Sequence, residues 1–358
     1  MKVLIITERF APDFAGGGEV LTLETAHRMR SRGCDVRVLT TGDPADTEYE
    51  GIAVKRLPVH RYRFGFCVDA AIEAARGVDL IHVFGFHACR PGLKAARKLS
   101  IPILSTLSAL FGAEWRRMKP PVAGALWQQL ERWFLLQPFD KLHLISVPSF
   151  NLATSMGADP ARCIVIPIGV NHAEHKPRWP KDQTVLFAAK LDVRKGIFEF
   201  LEAASRLPHI RFEVVGWGPH EQSMRARASA NVIFHYFQRG DKLHHHFDRA
   251  SIFCMPSHVE TFGLALVEAQ ASGCAIISSV PLPFAGISIP GNDADALTKA
   301  IEELWSDPVR VEQAGRENLV LAEQYDWNKY ADRLLVEYGN LINFHELLRG
   351  TQPVEMLQ

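Results

Sequence analysis

A chain of 358 residues and 40.1 kDa is too long for one ordinary core and suits two domains of about 170 residues each. Its 47% apolar and 22% charged residues exclude wholesale disorder. Lys+Arg equals Asp+Glu at 40 each, which argues against a nucleic-acid binder that depends on a basic excess. The neutrality is uneven. Roughly 21 basic and 16 acidic residues precede residue 171, and roughly 19 and 24 follow it, as expected of two domains of opposite sign around a shared cleft. The six cysteines, Cys34, Cys67, Cys89, Cys163, Cys254 and Cys274, form no CxxC pair, the pattern of free thiols in a reducing compartment. The opening MKVLIITERFAP is too short in its apolar run for a signal peptide, and the uncharged stretch 269–292 is broken by Gly273, Pro281, Pro283, Gly286 and Pro290. The expected location is the cytoplasm, at most with peripheral contact at the membrane face.

In chain order, Val3-Leu4-Ile5-Ile6 predicts a buried strand, followed by a glycine-rich loop and a helix from Glu19 to Arg32 that stops at Gly33. Val36 to Leu39, Leu80 to Val83, Ile103 to Thr106, Leu142 to Ile145 and Cys163 to Ile166 continue a parallel sheet. Pro167-Ile168-Gly169-Val170 and the polar, proline-bearing stretch after it read as a linker. The pattern then restarts. Strands are predicted at Thr184 to Ala188, Arg211 to Val215, Asn231 to His235, Ile252 to Met255 and Ala275 to Ser278. Helices are predicted at Phe198 to Ser205, Asp295 to Leu304, Val309 to Gln324 and Trp327 to Leu348, with a frayed tail from Gly350. The expected fold class is α/β, two doubly wound units with ligand at the carboxyl ends of the strands.

The richest segment is Pro256 to Ala269, in which a strand end at Met255 leads through a loop holding Glu260 into a helix opened by Phe262-Gly263-Leu264. Backbone N–H groups at such a helix start, with the positive end of its dipole, suit a diphosphate, and Gly263 lets the backbone approach it. Glu268 lies about one turn, roughly 5.4 Å, beyond Leu264 on the same face, the distance from a diphosphate to its ribose hydroxyls. Glu260 then faces the sugar side. The plain alternative is two surface glutamates near a helix start.

Gly16-Gly17-Gly18-Glu19 between the first strand and helix allows close contact with a phosphate or sugar, or is simply a flexible turn. Lys190 and Lys195 flank a strand–helix loop, where two cations can clamp a diphosphate leaving group or merely face water, and Arg194 lies between them. Asp293-Ala294-Asp295 spells a DxD but precedes a helix, so capping explains it. His244-His245-His246 reads as a solvated helix face, since adjacent helical residues point apart.

Residues 256–269 resemble the Glu-x7-Glu motif of the family-4 retaining glycosyltransferases, and further motifs follow in the right order over nearly the whole chain. Met1 to Glu19 resembles the family's opening strand and glycine loop, Asp79-Leu80-Ile81-His82 its Asp-x-Ile-His strand, and Val165 to Asn171 its Pro-Asn-Gly-Val-Asp hinge, with Ile168 and Asn171 as departures. Val214 to Pro219 is similar to its Val-Gly-x-Gly-Pro turn, and Tyr325-Asp326-Trp327 to its Phe-Ser-Trp. The resemblance implies a GT-B fold: an acceptor-binding Rossmann-like domain at 1–170, a nucleotide-sugar-binding one at 171–330 facing it across a central cleft, and a C-terminal helix at 331–358 packing back on the first. It implies donor contacts from Gly16, Gly17, Lys190, Lys195, Gly216, Phe237, Glu260, Phe262, Gly263, Leu264 and Glu268. Glu260, Lys190 and Lys195 carry the catalytic roles, and Phe237 lies in the loop that meets the base.

The expected reaction moves a hexose-type sugar, with retention, from a UDP- or GDP-sugar to an acceptor hydroxyl of a glycan, lipid-linked or small molecule. No cofactor and no metal is required, because lysines and a helix terminus take the metal's place. One departure stands out: where the family places a His in Thr-x-His, this chain has Ser108. That opens the alternative of a weak or inactive nucleotide-sugar-binding partner subunit. Ser108, His82 and Trp115 are the acceptor-side candidates. Trp115, Arg116, Arg117, Lys119, Trp127 and Trp133 together suit either an interfacial helix or core packing.

Overall fold

The computed structural model of the chain describes residues 1–13, 16–218 and 221–350. The expected frayed tail beyond residue 350, and Pro219 of the glycine turn, lie outside them. Two compact units emerge, Met1–Pro167 with Trp327–Gln358, and Ile168–Asp326. Both boundaries fall a few residues earlier than the 170/171 and 330/331 expected, because Val170 bridges to Asp326 within the second unit and Trp327 already begins the last helix.

The first unit is built on β1 (Lys2–Thr7), β2 (Asp35–Thr41), β3 (Glu48–Tyr49), β4 (Ile52–Leu57), β5 (Leu80–Phe84), β6 (Ile103–Leu107), β7 (Lys141–Leu144) and β8 (Cys163–Val165). Among the described residues they form one sheet in the order β3-β4-β2-β1-β5-β6-β7-β8, parallel except where β3 meets β4. Its helices are α1 (Gly17–Ser31), α2 (Val68–Ala74), α3 (Phe86–Leu99), α4 (Trp115–Met118), α5 (Pro121–Leu135) and α6 (Val147–Ser155). The central strands are mainly apolar and buried on both faces, as a helix-covered parallel sheet demands, with polar exceptions such as His82 and Ser105.

The second unit has β9 (Asp182–Ala188), β10 (Phe212–Val215), β11 (Val232–His235), β12 (Ala250–Met255), β13 (Ala275–Ser278) and β14 (Gly286–Ser288), ordered β11-β10-β9-β12-β13-β14 and parallel throughout. Its helices are α7 (Ile197–Arg206), α8 (Glu221–Arg227), α9 (Asp241–Arg249), α10 (Leu264–Ala271), α11 (Ala294–Trp305) and α12 (Pro308–Ala322). Strand order reverses between β9 and β12, the switch point at which open α/β sheets hold ligands.

The last helix, α13 (Trp327–Gly350), returns to the first unit. There the Tyr330 and Tyr338 hydroxyls meet Thr25 Oγ1 at 2.8 Å and His82 Nδ1 at 2.5 Å. No helix among the described residues is long and apolar enough to cross a membrane, and all six cysteines are free thiols.

Candidate active site

Three loops meet at the carboxyl ends of β9, β10 and β12. The loop after β9 is sewn to the one after β10 by Ala189 N–H donating to Val215 O (3.2 Å) and Leu191 N–H to Trp217 O (2.8 Å). A Cβ on Gly216 or Gly218 would stand 2.0 Å from the carbonyl oxygen of Ala189 or Leu191, so this close approach requires glycine at both positions. On the other side His258 N–H donates to Arg194 O at 2.8 Å.

This sewing brings Lys195 against Glu260. Their ammonium and carboxylate form a direct ion pair, with side chains 18% and 12% exposed, and Glu260 Oε1 also accepts from Thr261 N–H at 3.2 Å. Lys190 takes a different partner: its Nζ lies 5.5 Å from the centre of the Trp217 ring. Trp217 in turn meets Phe237 edge-on at 6.4 Å, and Tyr236 and Phe237 are exposed at the end of β11. Arg194 pairs with Asp192 at 3.4 Å.

Gly263 caps α10 in a left-handed conformation (φ +87°), and a Cβ there would crowd Val280 at 3.3 Å. The Leu264 and Ala265 amides have no acceptor within the helix, while Leu266 N–H donates to Gly263 O at 2.9 Å; an end of this kind suits an anion beside Glu260. Phe262, expected among the donor contacts, is 2% exposed and packs edge-on against Tyr325 at 5.6 Å; its ring is core, and only its backbone remains at the site. Glu268 lies on α10, and burial, with the Glu174 carboxylate adding to it, pushes its carboxyl up to about 8. The carboxyl therefore holds its proton to higher pH than an ordinary glutamate does.

In the first unit, a Cβ on Gly16 or Gly17 would meet no other described atom, and Gly16 is extended; neither glycine is demanded by the protein's own packing. A Cβ on Gly18 would lie 3.4 Å from Ser108 Oγ, so the glycine loop and the residue following β6 are neighbours. His82 corrects the acceptor-side expectation. It is fully buried, with Nδ1 on Tyr338 and Nε2 on Thr106 Oγ1 (2.6 Å), and burial lowers its pKa well below the usual value. It holds the sheet to α13 and presents no atom to a substrate. Trp115 stacks on Trp127 (5.2 Å) and meets Phe111 edge-on, so part of its surface is packing.

Asp293 caps α11 by accepting from Ala296 N–H at 2.8 Å, and Asp295 pairs with Arg206, so both aspartates of the DxD have structural partners. The His244–His246 run is not a solvated face: His244 is 7% exposed, and His246 bonds Glu213 and Gln238. Trp217 escaped the sequence reading, although its place between two glycines of a strand-end turn was a signal.

Two family models match the chain, Glycosyltransferase Family 4 over residues 15–174 and Glycosyl transferases group 1 over residues 171–319. D-inositol 3-phosphate glycosyltransferase of Mycolicibacterium vanbaalenii is 24% identical over 92% of this chain and 86% of its own length. Glycogen synthase of Mycobacterium tuberculosis is 25% identical over 92% of each. Among solved structures, sucrose-phosphate synthase of Thermosynechococcus elongatus superimposes with a TM-score of 0.83 at 20% identity, over 96% of this chain and 99% of that one. Anabaena HepE in complex with UDP and glucose does so at 0.78 and 16%, over 95% and 100%. The fold is thus that of the GT-B glycosyltransferases, and the chain belongs to the glycosyltransferases of groups 1 and 4.

Proposed function

We propose that the chain transfers a hexose-type sugar, with retention of anomeric configuration, from a UDP- or GDP-sugar to an acceptor hydroxyl of a glycan, lipid-linked or small molecule. The observation that carries this reading is the Lys195–Glu260 pair beside the glycine-capped start of α10, at the switch point of the second sheet. Lys195, Lys190 and the Gly263 and Leu264 amides stabilise the charge that grows on the departing diphosphate. Glu260 accepts from sugar hydroxyls, Glu268 from the ribose, and Trp217 and Phe237 offer ring faces to the base. Anabaena HepE binds UDP and UDP-glucose in its solved complexes, which supports a nucleotide-sugar donor here.

In the first unit, Ser108 and Trp115 are assigned to the acceptor, and the protein's own packing leaves room around Gly16 and Gly17 for a ligand. On α5 and just beyond it, Val122, Leu126, Trp133 and Leu136 are exposed and Arg116, Arg117 and Lys119 lie close in sequence, which supports peripheral contact with an anionic membrane. Vesicles containing phosphatidylglycerol should sediment the chain, and Leu126→Glu with Trp133→Glu should release it; equal sedimentation of both would end the membrane assignment.

The transfer step uses no divalent metal in this reading, since the cations and the helix start supply the positive charge and Asp293 is a cap. The test is release of nucleoside diphosphate from a panel of nucleotide sugars and acceptors, with and without EDTA. Turnover should persist in EDTA. A complete loss restored by Mg²⁺ or Mn²⁺ would give the metal a role, and tight donor binding without release for any acceptor would mark a non-catalytic binding subunit.

A further inference from the structure

A cluster outside the candidate active site has the chemistry of a metal centre. Glu213 on β10, His235 at the end of β11 and His246 on α9 come from separate elements of the second unit, and among the described residues their ligand atoms all lie within 4.8 Å of one another. His246 Nδ1 is 3.0 Å and His235 Nε2 3.4 Å from the same oxygen, Glu213 Oε2. The ligand atoms of a tetrahedral zinc site stand about 3.3 Å apart, so these edges already have the required length. The three side chains are 13%, 27% and 12% exposed, in the order Glu213, His235, His246.

The surrounding bonds are those of a metal site's supporting groups. Arg211 holds the other Glu213 oxygen, Oε1, at 2.7 Å and leaves Oε2 turned to the two rings. His235 Nε2 is buried without a hydrogen-bond partner among the described residues. His246 faces an oxygen from each ring nitrogen, Glu213 Oε2 from Nδ1 and Gln238 Oε1 from Nε2, both at 3.0 Å. A neutral imidazole carries one N–H and cannot donate to both. A cation bound to Nδ1, like a proton there, satisfies both contacts, because the other N–H then sits on Nε2 and donates to the Gln238 carbonyl, the arrangement metal-bound histidines regularly show.

We propose that Glu213, His235 and His246 bind one Zn²⁺ ion, with Gln238 and Arg211 as supporting hydrogen bonders. Two imidazoles and a carboxylate are a borderline donor set suited to Zn²⁺ and its neighbours rather than to Mg²⁺, which prefers oxygen ligands and its own waters. Three protein ligands leave one position for water. The ion ties β10 and the edge strand β11 to α9 and fixes the start of the 236–238 loop. None of the three ligands is assigned to the donor; because Phe237 lies in the loop the ion steadies, removing the ion should weaken base binding without abolishing turnover.

The test uses the full chain stripped by chelation and titrated with Co²⁺ alone, then with Zn²⁺ in competition. One equivalent of Co²⁺ should give the visible band of a four-coordinate N/O site, without a thiolate charge-transfer band, and Zn²⁺ should abolish it. Zn²⁺ but not Mg²⁺ should raise the unfolding temperature. His235→Gln and His246→Gln should weaken binding at least tenfold, whereas His245→Gln, whose ring turns to Arg249, should not. Gln238→Ala perturbs only a loop side chain, so it keeps a folded reference, and it should weaken Zn²⁺ about tenfold. Absence of the band at one equivalent, a thiolate band, or equal affinity in Gln238→Ala and His246→Gln variants and the unaltered chain would overturn the site.

Discussion

Lys195→Ala should lower turnover by about 10²–10³-fold, the usual cost of one preorganised donor at a site where charge develops, while the dissociation constant for the free nucleoside diphosphate rises by less. The reason lies in the pair that Lys195 makes with Glu260. Before the sugar leaves, the diphosphate shares its charge with the glycosidic bond, and Lys195 divides its attraction between phosphate and Glu260. As the bond breaks, the phosphate gains negative charge and draws the ammonium more strongly. Glu260→Gln should behave differently. It removes the charge-assisted bond to a sugar hydroxyl and also releases Lys195 from its competitor. Affinity for the diphosphate should then hold or tighten while turnover drops. Separate measurements of kcat for diphosphate release and of nucleotide affinity by calorimetry decide the matter. Equal losses in kcat and affinity for Lys195→Ala would reduce the lysine to uniform binding.

The frame of the molecule was legible because short apolar runs such as Val3 to Ile6 and Ile252 to Met255 are buried on both faces and have few alternatives to a parallel strand. Strand β4 was not. Ile52, Val54 and Arg56 alternate with exposed residues, and Arg56 is buried only because Ala11 O and Asp46 O accept from its guanidinium. An arginine on the inner face disguises an edge-side strand as a loop.

At the site, local signals worked where backbone geometry carries the chemistry. Gly263 after a strand and before an apolar run announced a helix start. Partnerships between distant residues were hidden. Lys195 and Glu260 lie 65 positions apart, and His82 and Tyr338 lie 256 apart. Nothing along the chain distinguishes a histidine held between Thr106 and Tyr338 from one aimed at a substrate. Likewise, the His244–His246 run became informative only once β10 and β11 placed Glu213 and His235 beside it.

Affinity for the nucleotide sugar should rise with pH between about 6 and 8, by up to tenfold per unit, and level off above. Glu268 is the cause. Its carboxyl, pushed up to about 8 by burial and by Glu174, is mainly protonated at pH 6, whereas two ribose hydroxyls need an ionised acceptor. Binding must therefore expel a proton, at a cost of about 1.4 kcal/mol for each pH unit below that pKa. The nucleotide sugar is the right probe, because its diphosphate diester has no group titrating in this range. Stability should move the other way. A carboxyl whose folded pKa lies above its unfolded value of 4.5 binds its proton more tightly in the folded chain. Its contribution is complete below pH 4.5 and is lost as pH rises towards 8. Glu268→Gln should remove both slopes, with weaker nucleotide-sugar binding at pH 8 and a higher urea midpoint there than the unaltered chain. Glu174→Gln, by removing the nearby charge, should shift the rise in affinity to lower pH. Calorimetry across pH 6–9 gives the answer: a flat affinity profile in the unaltered chain, or one that Glu268→Gln leaves intact, would take Glu268 away from the ribose.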